Sequence, residues 1–294
     1  MREFKNRVAV VTGAASGIGR ATALRLADRG CHLALADINA TGLEELVKTL
    51  AESGSAAQRA ARVSTHLVDV SSSEAMENFA GEVEETHGAA HLLINNAGVV
   101  VATTFEEQSL ADLEWMVGIN YWGVVYGCHA FLPLLKAQDE AHIVNLSSMF
   151  GFLGLPLQSG YCATKAAVRA LSESLYAELR PSNIGVSSIH PGCIDTSIVR
   201  SGRMSKEDLR TDTQALFDRL GAPPDAVAKA IIKAIERKQL RARVRPESVA
   251  TDILKRLMPV ATHRFLAWRW ERELAAASVS AAADAGASNP KDAG

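Results

Sequence analysis

The chain has 294 residues, 48% of them hydrophobic, enough to bury the core of one large α/β domain or two smaller ones. Lysine and arginine total 31 against 33 aspartates and glutamates, a formal charge of -2 that lacks the basic excess of a general nucleic-acid binder. No apolar run reaches the roughly 18 residues of a membrane span, and none long enough for a secretory signal follows the charged start. The four cysteines (Cys31, Cys128, Cys162, Cys193) are scattered without a C-x-x-C pair. Reduced thiols in a cytoplasmic protein are therefore expected, with no disulfide frame and no metal site.

Apolar β-rich runs alternate with helical patterns. Residues 7–12 (RVAVVT) form a short apolar run that stops at Gly13, as a buried parallel strand does. Residues 17–29 then show helical spacing through Ile18, Ala21, Leu24 and Leu26. Residues 31–37 are a second strand and 41–51 a second helix. Strands three and four fall at 63–70 and 91–95, separated by a helix over 73–86. A long helix over 110–136 precedes strand five at 141–147. A helix over 161–179 and strand six at 184–190 follow. This rhythm predicts right-handed βαβ crossovers and a doubly wound parallel sheet, a Rossmann fold. Residues 1–196 are expected to form its core.

After Pro191 the rhythm breaks. Residues 197–220 are charged and irregular, as a substrate lid would be. Helices are expected over 225–237, after Pro223-Pro224, and over 248–258 and 264–277. Residues 197–275 thus read as a lid and C-terminal helices of the same domain. Residues 276–294 are rich in Ala, Ser, Gly and Asp, lack apolar periodicity after Val279, and are expected to be a disordered tail.

The turn Thr12-Gly13-Ala14-Ala15-Ser16-Gly17-Ile18-Gly19 lies between the first strand and the first helix. Phosphate binding needs backbone N–H groups at a helix N-terminus with no Cβ in the way. Gly13 permits the tight turn, Gly17 the approach of a pyrophosphate, and Gly19 the packing of helix on strand. The spacing is G-x-x-x-G-x-G rather than the commoner G-x-G-x-x-G. Asp37, eighteen residues after Gly19 and ending the second strand, can accept from ribose hydroxyls, and its charge repels a 2′-phosphate. Ser16, Ile38 and Asn39 offer no compensating cation, so NAD is favoured over NADP. The alternative for Asp37 is a helix cap or loop residue. Asp69 is either an acceptor at the adenine edge or an ordinary Asp-Val-Ser cap.

Tyr161 and Lys165 are four apart at the start of a helix and share a face. A free tyrosine has a pKa near ~10, and a neighbouring ammonium stabilises the phenolate and lowers it. Such a tyrosine can exchange a proton with an alcohol or ketone oxygen while hydride moves to or from nicotinamide. Ser148 closes the fifth strand thirteen residues earlier, at the carboxyl edge where open α/β sheets bind ligands, and its hydroxyl could bond the same oxygen. Ser147 is adjacent and could be confused with it. Asn120, a poor helix former in WMVGINYWG, must be paired if buried. It is either a stabilising polar contact or part of a relay ending at Lys165.

In order along the chain stand TGAASGIG, LADI with Asp37, DV at Asp69-Val70, NNAG at 95–98, Asn120, Ser148, YCATK at 161–165 and PG at Pro191-Gly192. Together they resemble the short-chain dehydrogenase/reductase family over roughly residues 5–196. The resemblance implies Tyr161 as general acid/base, with Lys165 lowering its pKa and holding the nicotinamide ribose. It implies Ser148 polarising the substrate oxygen and Asn120 anchoring a water relay. Gly13, Ser16, Gly17, Ile18 and Gly19 with Asp37, Asp69 and Val70 would hold the adenosine and phosphate half. Asn95, Asn96, Ala97 and Gly98 would support the cofactor at strand four, and Pro191, Gly192, Ile194 and Thr196 would shape the carboxamide pocket. It also implies a homo-oligomer, a dimer or tetramer, through the helices containing Asn120 and Tyr161. Two departures stand out: Thr164 occupies a position where many members have Ser, and residues 239–245 (QLRARVR) lead to extra helices instead of a strand ending in Asp-Gly-Gly.

Residues 149–157 and 99–102 are apolar and overlook the expected reacting carbon, which fits a hydrophobic secondary alcohol or ketone; packing of these loops onto the sheet is the alternative. Residues 262–273 mix Phe265, Leu266, Trp268 and Trp270 with Arg264, Arg269 and Arg272. Packing or lid formation is expected there, with arginine stems covering apolar surface, and contact with a membrane surface is the less favoured reading. The charge run 237–245 reads as a solvated strand edge. A non-catalytic NAD-binding sensor of the same fold is the main alternative to an enzyme. An epimerase or dehydratase with retained NAD is a second.

Overall fold

The computed structural model describes residues 1, 3–196, 202–204 and 221–287. Its centre is a seven-stranded sheet in the order β3-β2-β1-β4-β6-β7-β9, with every neighbouring pair parallel. The strands are β1 (Val8–Thr12), β2 (His32–Asp37), β3 (Val63–Leu67), β4 (Leu92–Asn95), β6 (Ala141–Leu146), β7 (Ile184–Pro191) and β9 (Arg241–Val244). A separate two-stranded ladder pairs β5 (Val101–Ala102) with β8 (Arg203–Met204). Residues 205–220 and 197–201, most of the expected lid, lie outside the described residues.

The central strands are buried almost throughout because both faces are covered. Ala9 and Val11 of β1 face one core, with α1 (Gly17–Asp28), α2 (Ala40–Lys48) and α8 (Pro224–Arg237). Val8 and Val10 face the other, with α4 (Ser73–His87), α6 (Gly123–Lys136) and α7 (Ser159–Glu178). Alternation within one strand thus feeds two hydrophobic layers.

Several boundaries differ from the sequence expectation for local reasons. The helix expected over 110–136 is α5 (Leu110–Val117), a π turn (Gly118–Trp122) and α6 in continuous succession. The second helix likewise passes into a π turn (Thr49–Ser53), followed by the short α3 (Ala56–Ala60). β3 stops at Leu67, not at 70, because Asp69 folds back onto Ser71. The last helices are α9 (Pro246–Leu257) and α10 (Pro259–Ala287). The stretch expected as a tail from 276 is therefore helical as far as Ala287. Its alanines are strong helix formers, and missing apolar periodicity reports on packing rather than on helix formation. Edge strand β9 is less solvated than its charges suggest: Arg241, Arg243 and Arg256 all converge on Asp252, which is only 2% exposed.

Candidate active site

The sheet order reverses between β1 and β4, and the crevice at their carboxyl ends is where such folds bind ligands. Gly13 has φ +64°, and a Cβ there would lie 2.8 Å from Asn96 Nδ2 and 2.9 Å from Ala97 Cα. Gly19 admits no side chain, because a Cβ would come within 2.0 Å of the Gly13 carbonyl oxygen. Gly17, with φ +53°, differs: its open side meets only Thr196, at 3.4 Å. The turn is thus closed beneath and open above, the shape that backbone approach by a phosphate requires.

Asp37 ends β2, and its carboxylate accepts from Ala15 N–H at 2.9 Å and Asn39 N–H at 3.0 Å. It is tied to the glycine turn rather than capping a helix; Asn39 caps α2 by accepting from Gly42 N–H. Asp69 is exposed and accepts from the N–H and hydroxyl of Ser71, while Ser72 caps α4. Asp37, Asp69 and Val70 all line one cleft with Ser16, Gly17 and Ile18.

At the end of β4 one expectation is corrected. Asn95 does not reach the cleft: it is 2% exposed and its Nδ2 donates to Asn145 Oδ1 at 2.9 Å, beneath the sheet end. Strand alternation turns the next side chain the other way. Asn96 donates from Nδ2 to the carbonyls of Thr12 and Gly13, each at 3.0 Å. Thr12 Oγ1 accepts from the N–H groups of Asn96 and Ala97. Asn96, Ala97 and Gly98 line the cleft.

The chemistry-bearing residues converge at the far end. Ser148 follows β6, and its hydroxyl accepts from Phe150 N–H at 3.2 Å on the same cleft wall as Tyr161. Ser147 turns away and donates to the Lys165 carbonyl at 2.8 Å, which resolves the ambiguity between the two serines. Lys165 is buried, and its Nζ donates to Leu146 O at 3.0 Å. Burial pulls the Lys165 ammonium down to about 8. Burial pushes the Tyr161 phenol up to about 12, against the opposing pull of the Ser148 hydroxyl. Burial therefore outweighs the lowering of Tyr161 expected from Lys165. Nζ stands 5.8 Å from the tyrosine ring centroid and spends a hydrogen bond on a backbone carbonyl, so desolvation dominates.

Asn120 sits in the π turn, fully buried. Its Oδ1 accepts from Val99 N–H at 2.8 Å, and its Nδ2 donates to Val99 O and to Thr164 Oγ1. The side chain thus makes the stabilising contacts of the first alternative. It also stands close to the lysine: a Cβ on Gly98 would lie 3.1 Å from Asn120 Oδ1 and 3.4 Å from Lys165 Nζ. Thr164, the departure from the usual serine, donates to the Tyr161 carbonyl at 2.8 Å and keeps the amide paired.

The cleft, about 570 Å³, runs from Asp37 to Tyr161, with Pro191, Gly192, Ile194 and Thr196 as one wall. Besides Ser148, Tyr161 and Lys165, its lining includes the apolar Val99, Val100, Trp115, Ile119 and Phe150 and the polar Gln158. Trp115, Ile119 and Gln158 were not singled out from the sequence. The first two are four apart on one helical face, a spacing indistinguishable from ordinary core. Among the described residues no group of three or more His, Cys, Asp or Glu could hold a metal ion, and no helix is long and apolar enough to cross a membrane.

A dinucleotide cradle at a switch point, ending at a buried Ser–Tyr–Lys cluster, defines an NAD(P)-dependent dehydrogenase or reductase. Residues 7–207 match the short chain dehydrogenase family, and the chain belongs to it. SadH of Mycobacterium tuberculosis, which carries the name of an oxidoreductase, is 36% identical over 271 residues, spanning 91% of this chain and 96% of its own length. A short-chain dehydrogenase/reductase from Burkholderia phymatum, solved in complex with NAD, superposes with a TM-score of 0.80 at 33% identity, covering 87% of this chain and 95% of that one. An alcohol dehydrogenase from the archaeon Thermococcus sibiricus, complexed with 5-hydroxy-NADP, superposes at 0.69 with 28% identity, covering 81% and 94%.

Proposed function

We propose that this enzyme interconverts a secondary alcohol and its ketone, apolar around the reacting carbon, with NAD as hydride partner and Tyr161 as the proton-transfer residue. The observation that carries the reading is the placement of Ser148, Tyr161 and Lys165 together in one cleft that Asp37 also lines. Bound NAD accepts or donates the hydride. The protein supplies the rest. The Ser148 hydroxyl orients the substrate oxygen beside Tyr161, whose phenol gives its proton to that oxygen in reduction, and whose phenolate takes the alcohol proton in oxidation. Lys165 places a cation beside the ring, where it favours the phenolate left behind. Val99, Trp115, Ile119 and Phe150 keep water from that end of the cleft.

The cradle fits a dinucleotide: Gly17 is open on its cleft side and Asp37 presents a carboxylate to the same space. NAD over NADP rests on that carboxylate together with the uncharged Ser16, Ile38 and Asn39; solved relatives carry either cofactor type. A homo-oligomer, a dimer or tetramer through α5–α6 and α7, is supported by Trp122 on that surface, 45% exposed and stacked on Tyr126, and a cytoplasmic location by the four free cysteines.

The test is Tyr161→Phe. Turnover of secondary alcohols should fall by at least about a hundredfold while NAD still binds. Substantial residual turnover removes Tyr161 from this role. Intact NAD binding with no turnover by the unmodified chain, over alcohols of increasing size, would instead favour a non-catalytic sensor.

A further inference from the structure

Strand β7 leaves the sheet through Pro191, Gly192 and Cys193, and the start of the C-terminal extension grips this exit at three points. Val244 O accepts from Gly192 N–H at 3.0 Å. Glu247 Oε1 accepts from Cys193 N–H at 3.1 Å. The Ser248 hydroxyl, fully buried, donates to His190 O at 2.8 Å. The fit around Glu247 is close. A Cβ on Gly192 would lie 2.5 Å from Glu247 Oε1 and 2.9 Å from its Cγ, so position 192 has room for glycine only while Glu247 occupies its place.

A second observation points to the same carboxylate. Arg245, just before α9, has φ +83°, a region that side-chain-bearing residues rarely occupy. Its Nε donates to Glu247 Oε1 at 3.0 Å. Strain of this kind persists where surrounding contacts over-determine it, and it clusters at functional sites. The residues held in this way continue directly into the cleft wall: Pro191, Gly192, Ile194 and Thr196 line it, and Thr196 faces Gly17 of the glycine turn.

We infer that Glu247 is a positioning residue for the dinucleotide: by holding Cys193 N–H and packing on Gly192, it sets where the 191–196 wall stands against the cleft. Glu247 itself is not among the cleft-lining residues and acts through that wall. The inference rests on the dinucleotide reading above. Removing the carboxylate leaves the Cys193 N–H without its acceptor and gives Gly192 space into which the wall can relax, so cofactor affinity drops while the alcohol end is untouched.

The experiment measures NADH binding by fluorescence in full-length Glu247→Ala and Glu247→Gln, with melting temperatures of the unliganded proteins and KM for an alcohol at saturating NAD. Loss of a hydrogen bond to a charged group predicts a Kd for NADH raised about tenfold in Glu247→Ala. The melting temperature should stay within about 2 °C and KM for the alcohol should not change. Glu247→Gln, whose amide oxygen still accepts, should recover most of the affinity. Gly192→Ala should weaken NADH binding in the wild-type background and less in the Glu247→Ala background, because the clashing carboxylate has gone. An unchanged Kd in Glu247→Ala, or losses that simply add in the double variant, overturns the inference. Should Glu247→Ala fail to fold, Glu247→Met keeps the stem but not the acceptor and carries the same two outcomes. A wild-type chain that binds neither NADH nor NADPH overturns the dinucleotide reading, and this inference with it.

Discussion

Nδ1 of His190 donates to the backbone carbonyl of Ser148 at 3.0 Å, which links the end of β7 to the serine that shares a cleft wall with Tyr161. The ring is fully buried, its Nε2 lies 3.0 Å from the Ser188 hydroxyl, and it stacks on Phe152 with centroids 4.2 Å apart. Burial drives His190 down to about 4, so it stays neutral, with its proton on Nδ1 because a carbonyl can only accept. His190→Phe keeps the stacking surface but leaves the Ser148 carbonyl with the Gly151 N–H, at 3.0 Å, as its one remaining donor, a loss of about 1 kcal/mol. We expect kcat to drop by up to about tenfold with the NADH Kd unchanged. A normal kcat in a folded variant would show that Ser148 needs no support from below.

Asp37→Ala should relax the cofactor preference. It removes the acceptor of Ala15 N–H and the charge that opposes a 2′-phosphate. Kd for NAD should rise and Kd for NADP should fall, each by about tenfold. Titrations of both reduced cofactors decide it, and an unchanged ratio would remove Asp37 from the selectivity role.

Asn120→Ala deletes three buried hydrogen bonds and leaves both polar groups of Val99 unpaired. A destabilisation of about 3 kcal/mol is expected, readable as a shift of the urea midpoint. Because Val99 lines the cleft, turnover should fall in parallel. A variant with wild-type stability would mean that water satisfies these groups.

Stability should decline on acidification below pH 6.5. His142 and His190 are fully buried, and burial lowers them from 6.5 to about 3 and about 4. Between those values and 6.5 the unfolded chain binds protons that the folded chain does not, so lowering pH favours unfolding; above 6.5 both states are neutral there and the effect vanishes. At pH 5 each such histidine removes about 2 kcal/mol. Melting curves at fixed ionic strength should flatten between pH 6.5 and 5 in His142→Asn, and an unaltered slope would contradict this origin.

Much of the fold was legible because it depends on local pattern. The runs at Val8–Thr12 and Ala141–Leu146 are mostly apolar and buried at every position of both faces, as a covered parallel strand requires. The glycine turn, Asp37, Ser148, Tyr161 and Lys165 could be placed because strand ends and helix starts fix where such residues point. Asn95 and Asn96 could not be told apart, since one residue of uncertainty at a strand end exchanges the two faces. Trp115, Gln158 and Glu247 were invisible for another reason. They reach the cleft or its wall only through packing between segments distant in sequence, and the ordinary pKa of a tyrosine beside a lysine said nothing of how deeply Tyr161 is buried.

The π turn at Gly118–Trp122 gives the helix that carries Asn120 one residue more than a regular spiral would hold there. Each residue advances a helix by about 100°, so the α5 side that brings Trp115 to the cleft and the α6 side that buries Phe131 and Leu135 are set by this insertion. Deleting a single residue anywhere in the turn would tidy the hydrogen bonding yet rotate one of those faces away from its target. This site therefore depends on chain length as well as on residue identity. A catalogue of substitutions alone would miss one of its most sensitive variables.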